Sequence, residues 1–129
     1  MIVRKARKED FVEVHKLLLQ VFSSARVKIG PNDEFIVADE GGELVGFAHI
    51  CENRKRIILK GFGVIHNLRG KGIGSGLLDE LISYSAKIRK NIHLKTRVGC
   101  PALSLYYKKG FATKRIKGNV IMLAFMHPN

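Results

Sequence analysis

The sequence predicts a mixed α/β domain with elements in the order β-α-β-β-β-α-β-α-β-β. Three observations predict it. Phe11, Val14, Leu18 and Val21 recur at spacings of three, four and three residues, the stripe of an amphipathic helix. Ile92, Leu94, Thr96 and Val98 alternate with His93, Lys95 and Arg97, the period of a half-buried strand. Between them, residues 69–81 read RGKGIGSGLLDEL, four glycines directly in front of a leucine-rich stretch. Glycine costs roughly 0.5–1 kcal/mol relative to alanine inside a regular element, so this backbone freedom serves something other than the helix.

The remaining elements follow in order. Ile2–Ala6 reads as a first strand, and Ser23–Asp33, with Gly30, Pro31 and Asn32, as a loop. Phe35–Ala38 and Leu44–Ile50 are β-prone and flank Gly41-Gly42, a hairpin turn signal. Ile57–Val64 is a further strand, and Gly61 and Gly63 within it mark a bulge or a close approach by another group. Ile73, Leu77, Leu78, Leu81 and Ile82 form one apolar stripe, so a helix is expected from Gly72 to Lys87. Pro101 suits the first turn of a short helix through Lys109, with Gly110 as its cap. Phe111–Ile116 and Val120–Met126 flank Gly118-Asn119 as a final hairpin, and His127–Asn129 reads as a frayed end.

Composition narrows the class. At 129 residues one domain, 1–129, is expected, with enough chain for a genuine core. Cys51 and Cys100 are too few for a disulfide framework and their spacing fits no zinc motif, so both read as free thiols in a reducing cytoplasm. The basic N-terminus lacks the apolar stretch of a signal peptide, and no run reaches the roughly 18–20 apolar residues of a membrane span. The formal net charge is +12, from 23 Lys and Arg against 11 Asp and Glu, which favours an acidic ligand or partner.

The glycine-rich turn has a physical purpose. A strand ends at Val64 and a helix starts near Gly72, so backbone N–H groups at the helix N-terminus are exposed with the positive end of its dipole behind them. That arrangement binds phosphate. Gly70, Gly72 and Gly74 let the chain curl closely around the ligand, and Arg69 and Lys71 add charge. Two other phosphate loops fail. In G-x-G-x-x-G, counting from Gly70 puts Ser75 in the last position and counting from Gly72 puts Leu77 there. In a P-loop, Gly70-Lys71 would need glycine at Ile65 and Ser or Thr at Gly72.

What remains is R-x-x-G-x-G, Arg69, Gly72 and Gly74. It resembles the acyl-CoA pyrophosphate loop of the GNAT superfamily, the Gcn5-related N-acetyltransferases. VIHNLRGKGIGSGLL, Val64–Leu78, is similar to that family's strand–loop–helix signature, and ALSLYYKKGF, Ala102–Phe111, to its A-x-x-L-Y-x-K-x-G-F segment. The element order also agrees. The family often has proline where this chain has His66, asparagine where it has Gly99, and a glutamate on the strand that here reads RIILKGFGV.

The resemblance implies a GNAT-like acyl-CoA N-acyltransferase fold and an acetyl-CoA-dependent N-acetyltransferase. Phe62, Val64, Ile65, His66, Arg69, Gly70, Lys71, Gly72, Ile73, Gly74 and Ser75 would hold the cofactor, with a backbone N–H near Phe62 polarising the acetyl carbonyl. Tyr106, rather than Tyr107, falls on the family's tyrosine and would serve as general acid to the departing CoA sulfur. The base is left open between His49, Glu52 and water, and His93 and His127 carry no pattern. The acceptor is an amine of unassigned identity, on an acidic carrier if the charge reports on it. Rival readings are a CoA-binding module without turnover, an acetyltransferase for an RNA-linked amine such as aminoacyl-tRNA, and a nucleic-acid-binding domain, the last disfavoured because no RNA-reading aromatic motif is present. A homodimer is left open.

Overall fold

The computed structural model describes residues 1–21 and 29–128. Its strands are β1 (Ile2–Lys5), β2 (Asp33–Glu40), β3 (Glu43–Glu52), β4 (Arg56–Val64), β5 (Asn91–Arg97), β6 (Ala112–Lys117) and β7 (Val120–Phe125). Its α-helices are α1 (Phe11–Val21), α2 (Ile73–Ile88) and α3 (Leu103–Lys108). The predicted order is the observed one, and most of the expected loop Ser23–Asp33 lies outside the described residues. Two 3₁₀ turns, Lys8–Asp10 and His66–Leu68, add to it.

The strands form a seven-stranded mixed sheet in the order β1-β2-β3-β4-β5-β7-β6. Pairing is antiparallel except between β4 and β5. The β2–β3 hairpin closes on Gly41 and Gly42, both at positive φ, and Gly42 N–H donates to Asp39 Oδ1 at 2.7 Å. Alternation sends Ile36, Ala48, Ile50, Ile57, Leu59, Ile92, Leu94 and Leu123 to one face, where Leu77, Leu78 and Leu81 of α2 and Tyr106 of α3 cover them. Phe35, Val37 and Phe47 point to the other face, under Val14, Leu17 and Leu18 of α1. At the C-terminus His127 is held rather than frayed: its N–H donates to Asn91 Oδ1 at 2.8 Å, and its Nε2 lies 2.7 Å from Ser85 Oγ.

Two irregularities shape the site. The β3–β4 register shifts where His49 pairs with Gly61 and Ile50 with Leu59, leaving Lys60 as a bulge residue. The bulge expected around Gly61 and Gly63 is therefore present, and the two glycines have different neighbours. A Cβ on Gly61 would meet His49 Cβ at an ordinary 3.6 Å, whereas one on Gly63 would lie 2.6 Å from Val21 Cγ1. Gly63 is the close approach, and α1 makes it. The second irregularity is the β4–β5 ladder. It runs from Arg56↔Asn91 to Leu59↔Leu94 and stops, although β4 continues to Val64 and β5 to Arg97.

Candidate active site

The gap beyond Leu59 and Leu94 is where β4 offers its backbone. Ile65 N–H donates to Val45 O of β3 at 2.9 Å. Backbone groups alternate in an antiparallel strand, so Gly61 and Gly63 also turn toward β3, and Phe62 and Val64 turn toward the gap. Val64 O accepts Arg69 Nε at 3.0 Å, which ties the loop back onto the strand. Arg69 thus has a positioning task that the sequence reading had given wholly to the ligand.

Above this strand end sits the N-terminus of α2. Gly72 is its N-cap at φ +84°, and Gly70 precedes it at φ +79°. A Cβ on either would point into open space, so the loop is a cradle that side chains would narrow. The first intrahelical bond runs from Gly76 N–H to Gly72 O at 3.0 Å, and no side chain caps the helix. The amides of Ile73, Gly74 and Ser75 are therefore without intrahelical partners, and the first turn holds no acidic residue. Lys71 is exposed beside them, as is His66 in the preceding turn. Ile73 is buried and Ile65 half-buried, so their contribution to a ligand is backbone. Gly74 differs from its neighbours: its Cβ would lie 3.1 Å from Phe62 Cζ and 3.4 Å from Leu105 Cδ2. It admits the Phe62 ring and is not at the open side of the cradle. Uncapped amides, a positive dipole end and an unfilled cradle fit the diphosphate of an acyl-CoA.

Tyr106 closes the site from α3. The helix ends in a Schellman turn, with Phe111 N–H donating to Tyr106 O at 3.0 Å and Gly110 N–H to Tyr107 O at 3.1 Å. Gly110 stands at φ +106° as that turn requires. The turn brings Phe111 onto the Tyr106 ring at 5.7 Å, and Phe62 lies on it at 5.8 Å. The residue is 6% exposed, and burial, with the nearby Cys100 thiol, pushes its phenol well above the usual range. Its hydroxyl has no hydrogen-bond partner among the described residues. Tyr107 is exposed and shares a 2.6 Å hydrogen bond with Thr113 Oγ1.

The two base candidates separate cleanly. Glu52 pairs with Ile57, at the far end of β4 from Phe62. It accepts hydrogen bonds from Tyr84 Oη and from Lys90 Nζ (2.7 Å), bonds that hold its carboxyl below the usual range. Glu52 is thus a structural acceptor, engaged by Tyr84 and Lys90 away from the gap. His49 pairs with Gly61, 4% exposed, its ring stacked on Phe35 at 4.4 Å. Nε2 is buried without a hydrogen bond, 3.5 Å from Asp33 Oδ1, and Lys60 Nζ approaches the same oxygen at 3.4 Å. Burial lowers the imidazole pKa, Lys60 lowers it further, and Asp33 opposes both. The ring is neutral at pH 7. The sequence reading singled out neither Asp33 nor Lys60, because register and a bulge bring them to His49.

Comparisons with known proteins agree with this fold. A model of the acetyltransferase (GNAT) domain matches residues 31–113. The chain belongs to the GNAT acetyltransferase family. A sequence search of curated proteins returns no match. Among solved structures, this GNAT chain is similar to the ribosomal-protein-S18-alanine N-acetyltransferase of Escherichia coli, at TM-score 0.85 and 17% identity over 99% of this chain and 96% of that one. A GNAT family acetyltransferase from Elizabethkingia anophelis with acetyl-CoA bound gives TM-score 0.82, 18% identity and coverages of 98% and 97%. The PaiA N-acetyltransferase of Thermoplasma acidophilum in complex with coenzyme A gives 0.80, 16%, and 98% and 100%. No described helix of this GNAT chain is long and apolar enough to cross a membrane.

Proposed function

We propose that residues 1–129 form one acetyl-CoA-dependent N-acetyltransferase domain that passes an acetyl group directly to a primary amine. The observation that carries this reading is a convergence at one end of β4. The uncapped amides of α2, the gap-facing backbone of Phe62 and Val64, and the unpartnered Tyr106 hydroxyl all belong to that end.

Acetyl-CoA, when bound, supplies an acetyl group activated as a thioester. The amides of Ile73, Gly74 and Ser75 bind its diphosphate, with Gly70 and Gly72 opening the approach and Lys71 adding charge. Phe62 N–H is a fixed donor for oxygen charge that develops in the gap. Tyr106 holds a proton at Oη throughout the neutral range and gives it to a leaving thiolate. The proton of the acceptor amine goes to water or to neutral His49.

Thermal unfolding with acetyl-CoA tests the loop. Ligand at about 100 times its Kd adds about 2.7 kcal/mol of stability. Gly72→Asn tolerates the left-handed backbone and places a side chain in the cradle, so the ligand-induced shift is expected to vanish. An undiminished shift in that variant rules the loop out as the phosphate site. One observation favours a binding module without turnover: β4 has no carboxylate and Glu52 is committed elsewhere. Thiol release from acetyl-CoA across a panel of amines separates the two. Ligand binding with no amine-dependent release selects the module.

A further inference from the structure

Cationic residues collect on one bare face of the sheet. α1 covers β2, β3 and the Gly63 end of β4, and no described helix covers the rest of β4 or β5, β7 and β6 on that side. The register aligns their side chains there. Lys95, Met122 and Arg115 form one cross-strand row, and Arg97, Val120 and Lys117 the next. Ile58, His93, Ala124 and Ala112 form a third. Lys114 occupies the β6 bulge, and Arg56 precedes Ile58 by two residues. Burial, and after it the charges of Arg56 and Lys114, lower the pKa of His93 on this face. An open depression of about 460 Å³, at the end of β4 remote from the glycine loop, is lined by Asn53, Arg54, Lys55, Arg56 and Ile58 and extends the same basic ground.

No described carboxylate pairs with Arg56, Lys95, Arg97, Lys114, Arg115 or Lys117; the ion pairs that exist lie elsewhere. Residues 1–52 carry seven Lys and Arg against nine Asp and Glu, whereas residues 53–129 carry sixteen against two. Lysine on an edge strand guards against edge-to-edge pairing, which accounts for β6. It does not account for Lys95 and Arg97 on β5, an interior strand. Solubility alone is met by charges of mixed sign. A field of one sign steers a polyanion.

We propose that this face docks the phosphodiester backbone of a nucleic acid strand, and that the acceptor amine is carried on such a strand. The second clause rests on the transferase reading, the first does not. Cations on adjacent rows stand about 7 Å apart along each strand, and adjacent strands lie about 4.8 Å apart. Among the described residues the face carries no Phe, Tyr or Trp on which bases could stack, so it tracks backbone and tolerates sequence. The open face begins beside Lys60, the bulge residue next to which the β4–β5 ladder ends.

Anisotropy of a fluorescein-labelled single-stranded oligouridylate tests this with the full chain. Four phosphate contacts give a log–log salt slope of about −2.8, an affinity loss of about 50-fold between 50 and 200 mM salt. The triple variant Lys95→Gln, Arg115→Gln, Lys117→Gln is expected to lose the binding and flatten the slope. A control triple, Lys8→Gln, Lys16→Gln, Lys87→Gln, removes the same charge from other surfaces and is expected to keep both. Equal losses in the two triples would reduce the effect to net charge and overturn the proposal. So would no binding at 50 mM salt, or tighter binding of a polyglutamate peptide, which would assign the face to an acidic protein. Both triples should retain the acetyl-CoA stabilisation. Its absence beside intact oligonucleotide binding would sink the transferase reading and leave the docking face standing.

Discussion

The two halves of the sheet are built on different terms. β2 and β3 lie between α1 and α2, and most of the acids of this half are paired. Arg4 alone bonds Asp10 at 2.7 Å and Asp39 at 3.1 Å, and the Asp10 carboxyl is drawn down to about 2. β5 and β7 are covered on one side only, β6 is exposed along its length, and β5 and β6 display cations without an ion pair on the open side. The difference separates two tasks. The doubly covered half supplies apolar burial, and the singly covered half supplies a field. The groups proposed to act in catalysis stand at the seam, where β4 and β5 part.

The seam is where the largest effect is expected. Tyr106→Phe keeps the ring against Phe62 and Phe111 and removes the proton donor. Turnover measured where chemistry limits the rate should fall by roughly 10²–10⁴, with acetyl-CoA affinity unchanged. Tyr107→Phe, which loses one exposed hydrogen bond to Thr113, should change it little. Equal turnover in wild type and Tyr106→Phe would remove the acid from the site.

The contrast in burial is tested next. Phe47→Ala empties a fully buried position beside Phe35 and should cost about 3–5 kcal/mol in denaturant unfolding. Ile116→Ala, at a β6 position 62% exposed, should stay within about 0.5 kcal/mol. Comparable costs would erase the distinction between the halves.

The smallest effect concerns acid. His49 has a folded pKa below its ordinary 6.5, because burial disfavours its charged form. Protons therefore bind the unfolded state first. The stability is full above about pH 6.5 and is lost as pH falls from there toward the folded value. His49→Phe should show a smaller drop in denaturant midpoint between pH 7.5 and 5.5 than wild type. His93, lowered by burial and by Arg56 and Lys114, acts in the same window, so some slope persists in the variant. An unchanged slope would clear His49 of the acid sensitivity.

Element order and the loop were legible because local signals carry them. Gly41-Gly42 marked the hairpin, and Gly72 marked the helix start to within one residue. Boundaries slipped where tertiary contacts decide. Phe111, expected in the last hairpin, is instead the closing residue of the α3 turn, packed on Tyr106. α3 begins at Leu103 rather than Pro101, since Leu103 N–H donates to Cys100 O in a tight turn before it. The 3₁₀ turns were too short to show a period. In the site, Gly74 looked like its neighbours, and only its packing against Phe62 and Leu105 tells it apart. Asp33, His49 and Lys60 are separated by up to 27 residues and meet only through the β2–β3–β4 register.

The short β4–β5 ladder has a consequence beyond catalysis. Among the described residues, four residue pairs are all the ladder that joins one antiparallel block of strands to the other, with α2 packed across both. Proteins open in contiguous units, along the lines where fewest backbone bonds and buried contacts must be given up. Here that line coincides with the gap, and it already lacks ladder bonds past Leu59 and Leu94. Whatever lies in the gap and touches both strands supplies the missing rungs, so occupancy of the site and cohesion of the two blocks rise and fall together.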